Sequence, residues 1–348
     1  MKIFKITTIF IITIFFIELS SLIFLKLKIF KNLEHSKLTF AFTEIDTNSF
    51  MNLKKNVEFK SKINVFTDEN RLRVKNKGFQ TDLDNKNSKI VLIGDSVPFG
   101  WSLEYRDSIA GHIENLNNTY QIINASVPSY TPKQSSKKFI DEFSKVKNLK
   151  YVYISNFNPV DLYLLFGKKW NNEINWSNYI NFLSKDLFFF KYKTLPLWGE
   201  INFFKIMRKV YVLKFFEMPV YKTNNRNLRS DEKIINLYTD QLKKIKDMNL
   251  KDTKFIFTPI LSPIHLKRNF ELLSDFEKKK IEIINKINFN LKNYEHENFI
   301  FLDLVSIMEN YNTSDIFIDD CCHLSSMGSE IIANQINQTI LNIDANTQ

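Results

Sequence analysis

From Lys89 onward, short runs of β-branched and aromatic residues alternate with longer stretches of helical periodicity, and this rhythm constrains the fold more than any other feature. KIVLI (89–93), YQIIN (120–124), YVYIS (151–155), KFIFTPI (254–260) and FIFLDL (299–304) each read as a buried strand. Between them lie helical signals. Thr131-Pro132-Lys133-Gln134 combines an N-cap threonine, a proline at the first helical position and a glutamine that can reach back, which is a capping box. Phe139, Phe143 and Val146 follow at helical spacing. Ile235, Tyr238, Leu242 and Ile245 line one face of a second helix, and Ile284, Ile287 and Leu291 one face of a third. Strands that alternate with helices predict an α/β fold with a parallel sheet covered on both faces. The stretch 163–227 breaks the rhythm. It holds Trp170, Trp176, Trp198 and the run Phe188-Phe189-Phe190. It reads as an added helical layer, as a cap with an aromatic floor for a sugar ring or acyl chain, or as a membrane-facing surface.

The N-terminal segment sets the cellular context. Residues 6–25, ITTIFIITIFFIELSSLIFL, are twenty residues bounded by Lys5 and Lys26 and interrupted only by Glu18. As a helix they would span ~30 Å, the thickness of a bilayer hydrocarbon core. A secretory signal would have a shorter apolar region and a small-residue cleavage site, so residues 1–30 are expected to be one uncleaved transmembrane anchor. Lys2 and Lys5 precede the span and Lys26, Lys28 and Lys31 follow it, a near tie under the positive-inside rule. Residues 31–88 are polar, weakly patterned and expected to form a linker and approach segment, ahead of a domain at 89–345. The net charge of +10 is spread along the chain rather than gathered in a stripe, which argues against a nucleic-acid partner. The two cysteines, Cys321 and Cys322, are adjacent and cannot build a disulfide framework.

Chemistry in a parallel α/β sheet gathers at the carboxyl ends of the strands. The first such end is Gly94-Asp95-Ser96-Val97-Pro98-Phe99-Gly100, in which two of only seven glycines bracket a serine at a sharp turn. A serine there projects its hydroxyl over the sheet, and its own N–H can help hold an oxyanion. The phosphate-loop sequence GK[ST] is missing. Near the other end of the chain stands Asp320-Cys321-Cys322-His323-Leu324-Ser325-Ser326-Met327-Gly328. Asp320, three residues before His323, could orient the imidazole and leave its other nitrogen to take a serine proton.

With these two blocks at the two ends of an α/β domain, the chain resembles the SGNH/GDSL hydrolase superfamily over roughly residues 65–340. The resemblance implies a three-layer α/β/α flavodoxin-like fold and a Ser-His-Asp triad acting on esters. Carried over by position, Ser96 is the nucleophile, His323 the general base and Asp320 its orienting carboxylate, while Asp319 is expected to be solvated or a loop cap. The family's oxyanion hole uses the serine N–H, a glycine N–H and an asparagine amide. Here Asn124-Ala125-Ser126-Val127-Pro128-Ser129-Tyr130 has serines where relatives carry glycine, so the backbone N–H of Ser129 takes the second place. In Ser155-Asn156-Phe157-Asn158-Pro159-Val160-Asp161, Val160 stands where the asparagine belongs, which leaves Asn158 as the first candidate donor and Asn156 as the second.

Three functions fit these residues. One is a membrane-anchored serine esterase acting on an acetylated glycan or a lipid ester. Another is an O-acyltransferase in which an envelope saccharide hydroxyl replaces water. The last is an anchored binding module that keeps the fold without the chemistry. No metal-ligand spacing or nucleotide fingerprint is present, so no cofactor is expected. The resemblance to anchored envelope hydrolases implies an extracytoplasmic domain.

Overall fold

The computed structural model describes residues 13, 16–20, 42–44, 52–60, 63–128, 130–155, 231–266, 273, 275–319 and 322–347. Most of the expected anchor and all of 163–227 lie outside the described residues; within the former, residues 13 and 16–20 are helical. Among the described residues no helix is long and apolar enough to cross a membrane.

Ten strands are described: β1 (Thr43–Glu44), β2 (Asn52–Leu53), β3 (Glu58–Lys60), β4 (Asn64–Thr67), β5 (Arg73–Val74), β6 (Lys89–Gly94), β7 (Gln121–Asn124), β8 (Leu149–Ser155), β9 (Lys254–Phe257) and β10 (Phe299–Phe301). The last eight form one sheet in the order β10-β9-β8-β6-β7-β5-β4-β3. β6 to β10 pair in parallel and β3 to β5 join antiparallel at one edge. Counted along the chain, the parallel strands run 2-1-3-4-5, the flavodoxin-like doubly wound order. In that order the strand direction of travel reverses between β6 and β8, and the crevice at their carboxyl ends is where ligands bind.

The alternation within β6 explains the layers. Val91 and Ile93 face one side with Phe139, Phe143, Leu242, Ile284 and Ile287. Ile90 and Leu92 face the other with Ile109, Ile113, Ile332 and Ile336. All six residues of β6 are buried, as a strand covered on both faces must be. The helices are α1 (Ser96–Phe99), α2 (Ile109–Leu116), α3 (Pro132–Lys138), α4 (Asp231–Asp247), α5 (Asp275–Lys292), α6 (Leu304–Met308), α7 (Thr313–Ile316) and α8 (Ser326–Thr347). The capping box forms as read: the Thr131 side chain accepts from Gln134 N, and the Gln134 side chain accepts from Thr131 N. One π-helical turn, Phe139–Phe143, then aims both phenylalanines into the core. At its far end α8 is seated by Asp344, which accepts from Tyr120 Oη at 2.6 Å and Tyr151 Oη at 2.5 Å.

The stretch read as linker and approach segment does more than connect. β3 to β5 extend the main sheet, and β1 pairs with β2 in a small separate ladder. Phe42, just before β1, is 1% exposed and stacks on Phe99 with ring centroids 5.4 Å apart. Short strands with isolated apolar residues carry too weak a period to be legible in the sequence.

Candidate active site

The strand β6 runs into α1 with no intervening loop. Asp95 caps the helix, its side chain accepting from Val97 N at 2.9 Å, so Ser96 becomes the first helical residue at the carboxyl end of the sheet. Gly94 has a steric reason: a Cβ there would stand 1.8 Å from Ser155 O and 2.6 Å from Pro98 Cγ. Gly100 ends the turn in the left-handed region at φ 81°, where a side chain is strained. The result is a serine on a tight strand-to-helix corner, beside the switch point of the sheet.

His323 reaches this corner from the other end of the chain. Its Nε2 lies 2.9 Å from Ser96 Oγ, and its Nδ1 contacts Asp319 Oδ2. With Nδ1 against a carboxylate, the ring proton belongs on Nδ1, where it donates to Asp319, and Nε2 is left as the acceptor for the Ser96 hydroxyl. Ser96 is only 3% exposed, whereas the side chains of His323 and Asp319 are 14% and 35% exposed. The Ser-His contact is thus largely withdrawn from water, with the carboxylate toward the rim.

The carboxylate partner differs from the expectation. The sequence points to Asp320 as the carboxylate that orients the imidazole and to Asp319 as a solvated residue or loop cap; the structure puts Asp319 on the ring, and Asp320 lies outside the described residues. The reason is the shape of the loop. Phe317 and Leu324 form an antiparallel bridge, and Ile318 N donates to His323 O at 2.9 Å. That closure sets Ile318 across from His323, so the next residue, Asp319, begins the turn beside the imidazole. Asp319 also accepts from Cys322 N at 3.0 Å and His323 N at 3.1 Å, so one carboxylate caps the loop and orients the imidazole. Burial alone would raise the Asp319 carboxyl; the His323 hydrogen bond and charge, with the two backbone N–H groups, outweigh it and hold the group down to about 2. It is ionised at any pH at which a neutral imidazole could work.

Aromatic packing flanks the imidazole. The Trp101 indole lies 6.1 Å from the His323 ring, tilted by 32°, and Phe42 packs 5.9 Å behind it. The segment after β7 stays close as well: Val127 N donates to Gly94 O at 3.1 Å, and Ser126 Oγ to Leu92 O at 3.3 Å. Ser155, opposite Gly94 in the sheet register, ends β8 with its hydroxyl accepting from Thr258 Oγ1 at 3.2 Å. The expected oxyanion donors Ser129 and Asn158, with the alternative Asn156, lie outside the described residues. Among the described residues no cluster of His, Cys, Asp and Glu could hold a metal ion.

Sequence reading missed Asp319, Trp101 and Phe42. The doubled aspartate at 319–320 was the available signal for the first, because either spacing from His323 satisfies a loop. Trp101 directly follows the glycine-closed turn, but its partner Phe42 is remote in sequence and could not be paired with it.

Fold and contacts together define a doubly wound α/β protein with a Ser–His–Asp array at its switch point. The chain is similar to solved structures of lipolytic and esterase proteins. An acetyl xylan esterase shares 12% identity over 72% of this chain and 99% of its own, at a TM-score of 0.42. A lipase from a goat rumen metagenome shares 12% over 72% and 97%, at 0.43, and a GDSL-like lipase from Bacteroides thetaiotaomicron VPI-5482 shares 13% over 74% and 90%, at 0.41. No protein-family model matches the chain, and neither does any curated protein.

Proposed function

We propose that this protein is a serine esterase of the SGNH/GDSL type. The observation that carries the reading is the unbroken contact series from Ser96 Oγ through the His323 ring to Asp319. In the first step the Ser96 oxygen bonds to the ester carbonyl carbon while its proton passes to His323 Nε2. The carbonyl π electrons move onto oxygen, and the Ser96 N–H is one donor to that oxyanion, with the Ser129 N–H and the Asn158 amide proposed as the others. Collapse breaks the carbon–oxygen bond to the leaving alcohol, which takes the proton from Nε2. Water then repeats the sequence, releases the acid and restores the serine. Asp319 stays ionised throughout and stabilises the imidazolium by its charge.

The substrate class we favour is an acyl ester on an envelope glycan or lipid, because an apolar run at residues 6–25 would tether the domain to a membrane. A fluorophosphonate probe should label the wild-type protein at Ser96 and leave Ser96→Ala untouched. Labelling of both proteins alike, or of neither, would sink the esterase reading in favour of a binding module. The acyltransferase alternative uses the same acyl-enzyme, so product analysis with and without a saccharide acceptor separates the two.

The anchor and its orientation are part of the same proposal. A C-terminal alkaline phosphatase fusion should be active and a green fluorescent protein fusion dark, as expected for a domain outside the cytoplasm. The reverse result would remove envelope substrates from consideration.

A further inference from the structure

Arg73 is buried to 1% exposure, yet among the described residues no carboxylate forms an ion pair with it. Its guanidinium is spent on backbone carbonyls instead. Nη1 donates to Phe99 O and to Gly100 O, the latter at 2.6 Å, and Nη2 donates to Leu103 O. The guanidinium carbon also lies 4.6 Å from the centre of the Phe99 ring. Among the described residues Nε has no hydrogen-bond partner. Burying a charge in this way is costly, and a position needed only for packing is better filled by an apolar side chain.

Two of the carbonyls it grips, those of Phe99 and Gly100, end the serine turn, and the third, that of Leu103, lies three residues beyond. α1 is a single turn of four residues, too short to hold its shape by its own hydrogen bonds, and its terminal carbonyls need outside donors. Arg73 supplies them with a rigid, charged fork, and a cation suits the C-terminal end of a helical turn. Its cross-strand neighbour does the same work. Arg73 pairs with Asn124 in the sheet, and Asn124 Nδ2 donates to Pro98 O at 3.1 Å and to Phe99 O at 3.4 Å. Gly100 leaves room for the guanidinium as well as for Ser108, since a Cβ there would stand 2.7 Å from Arg73 Nη1 and 2.5 Å from Ser108 Cβ. Burial draws the guanidinium down to about 10, so it keeps its charge at neutral pH.

We infer that Arg73 is a positioning residue for the nucleophile, acting through the Phe99, Gly100 and Leu103 carbonyls to hold Ser96 Oγ within reach of His323 Nε2. The inference rests on the esterase reading above. It assigns a functional role to a strand in the segment first read as an approach to the domain.

The test is the rate constant for fluorophosphonate labelling of Ser96, together with kcat and KM for p-nitrophenyl acetate, in full-length wild type, Arg73→Met and Arg73→Lys. Circular dichroism and a melting curve give the folded fraction at the assay temperature. Loss of the fork displaces the serine, so per folded molecule Arg73→Met should label and turn over about 100-fold more slowly with KM unchanged. Arg73→Lys keeps the charge but only a point donor, and should fall between the two. A purely structural role would lower the melting temperature and leave kcat per folded molecule at the wild-type value; that result, in whichever variant folds, overturns the inference. So does failure of both variants to fold, which would make Arg73 a core requirement. An inert wild type would instead defeat the esterase reading itself, which keeps the two failures apart.

Discussion

Ser96→Ala is expected to lose about 10⁶-fold in kcat while its melting temperature stays near that of the wild type. The hydroxyl is the one group removed. Ser96 contributes Oγ to the contact with His323 and its backbone to α1, and only the first depends on the side chain. Alanine is also the best helix former, so the turn loses nothing in propensity. His323→Ala should fall to a similar residual level, and the double variant no lower than either, because residues that act as one unit are not additive. Steady-state hydrolysis of p-nitrophenyl acetate by the three variants checks this. Multiplying losses in the double variant would mean that Ser96 and His323 work independently, against the 2.9 Å contact between them.

Asp319→Asn should cost about 10³- to 10⁴-fold in kcat with KM little changed, whereas Asp320→Asn should stay near wild type. An asparagine at 319 can still cap the loop, accepting from Cys322 N and His323 N as the carboxylate does. It cannot supply the negative charge that favours the Nδ1–H tautomer and stabilises the imidazolium. The two variants therefore discriminate the adjacent carboxylates directly, and the reverse ranking would restore Asp320 as the partner. The pH dependence follows the same logic. Since the Asp319 carboxyl is held down to about 2, below its ordinary value near 4, it contributes stability that is present above pH ~4 and lost as the pH falls toward 2. Acid unfolding of Asp319→Asn should be less steep than that of the wild type across that window.

The residues that bear on chemistry were legible because local chain requirements expose them. A strand closed by a glycine, a serine at the corner and a second glycine can be read wherever they occur, and so can a threonine-proline-glutamine helix start. These features depend on neighbours within a few positions, and the backbone geometry that they impose is the same in any tertiary setting. Periodicity works the same way: Val91 and Ile93 on one face and Ile90 and Leu92 on the other follow from alternation alone.

What the chain's order determined by itself was therefore the alternating α/β plan, the serine corner after β6 and the histidine before α8. The tertiary structure alone decided which carboxylate serves the histidine. Asp319 and Asp320 differ by one position, and the choice between them turns on the Phe317–Leu324 bridge and the Ile318–His323 hydrogen bond that close the loop. It also decided that Arg73 and Phe42 belong to the serine turn rather than to a tether. Both lie more than twenty residues from the part of that turn they touch, and contacts at that separation are set by how the sheet and its edge strands pack, which no local pattern encodes.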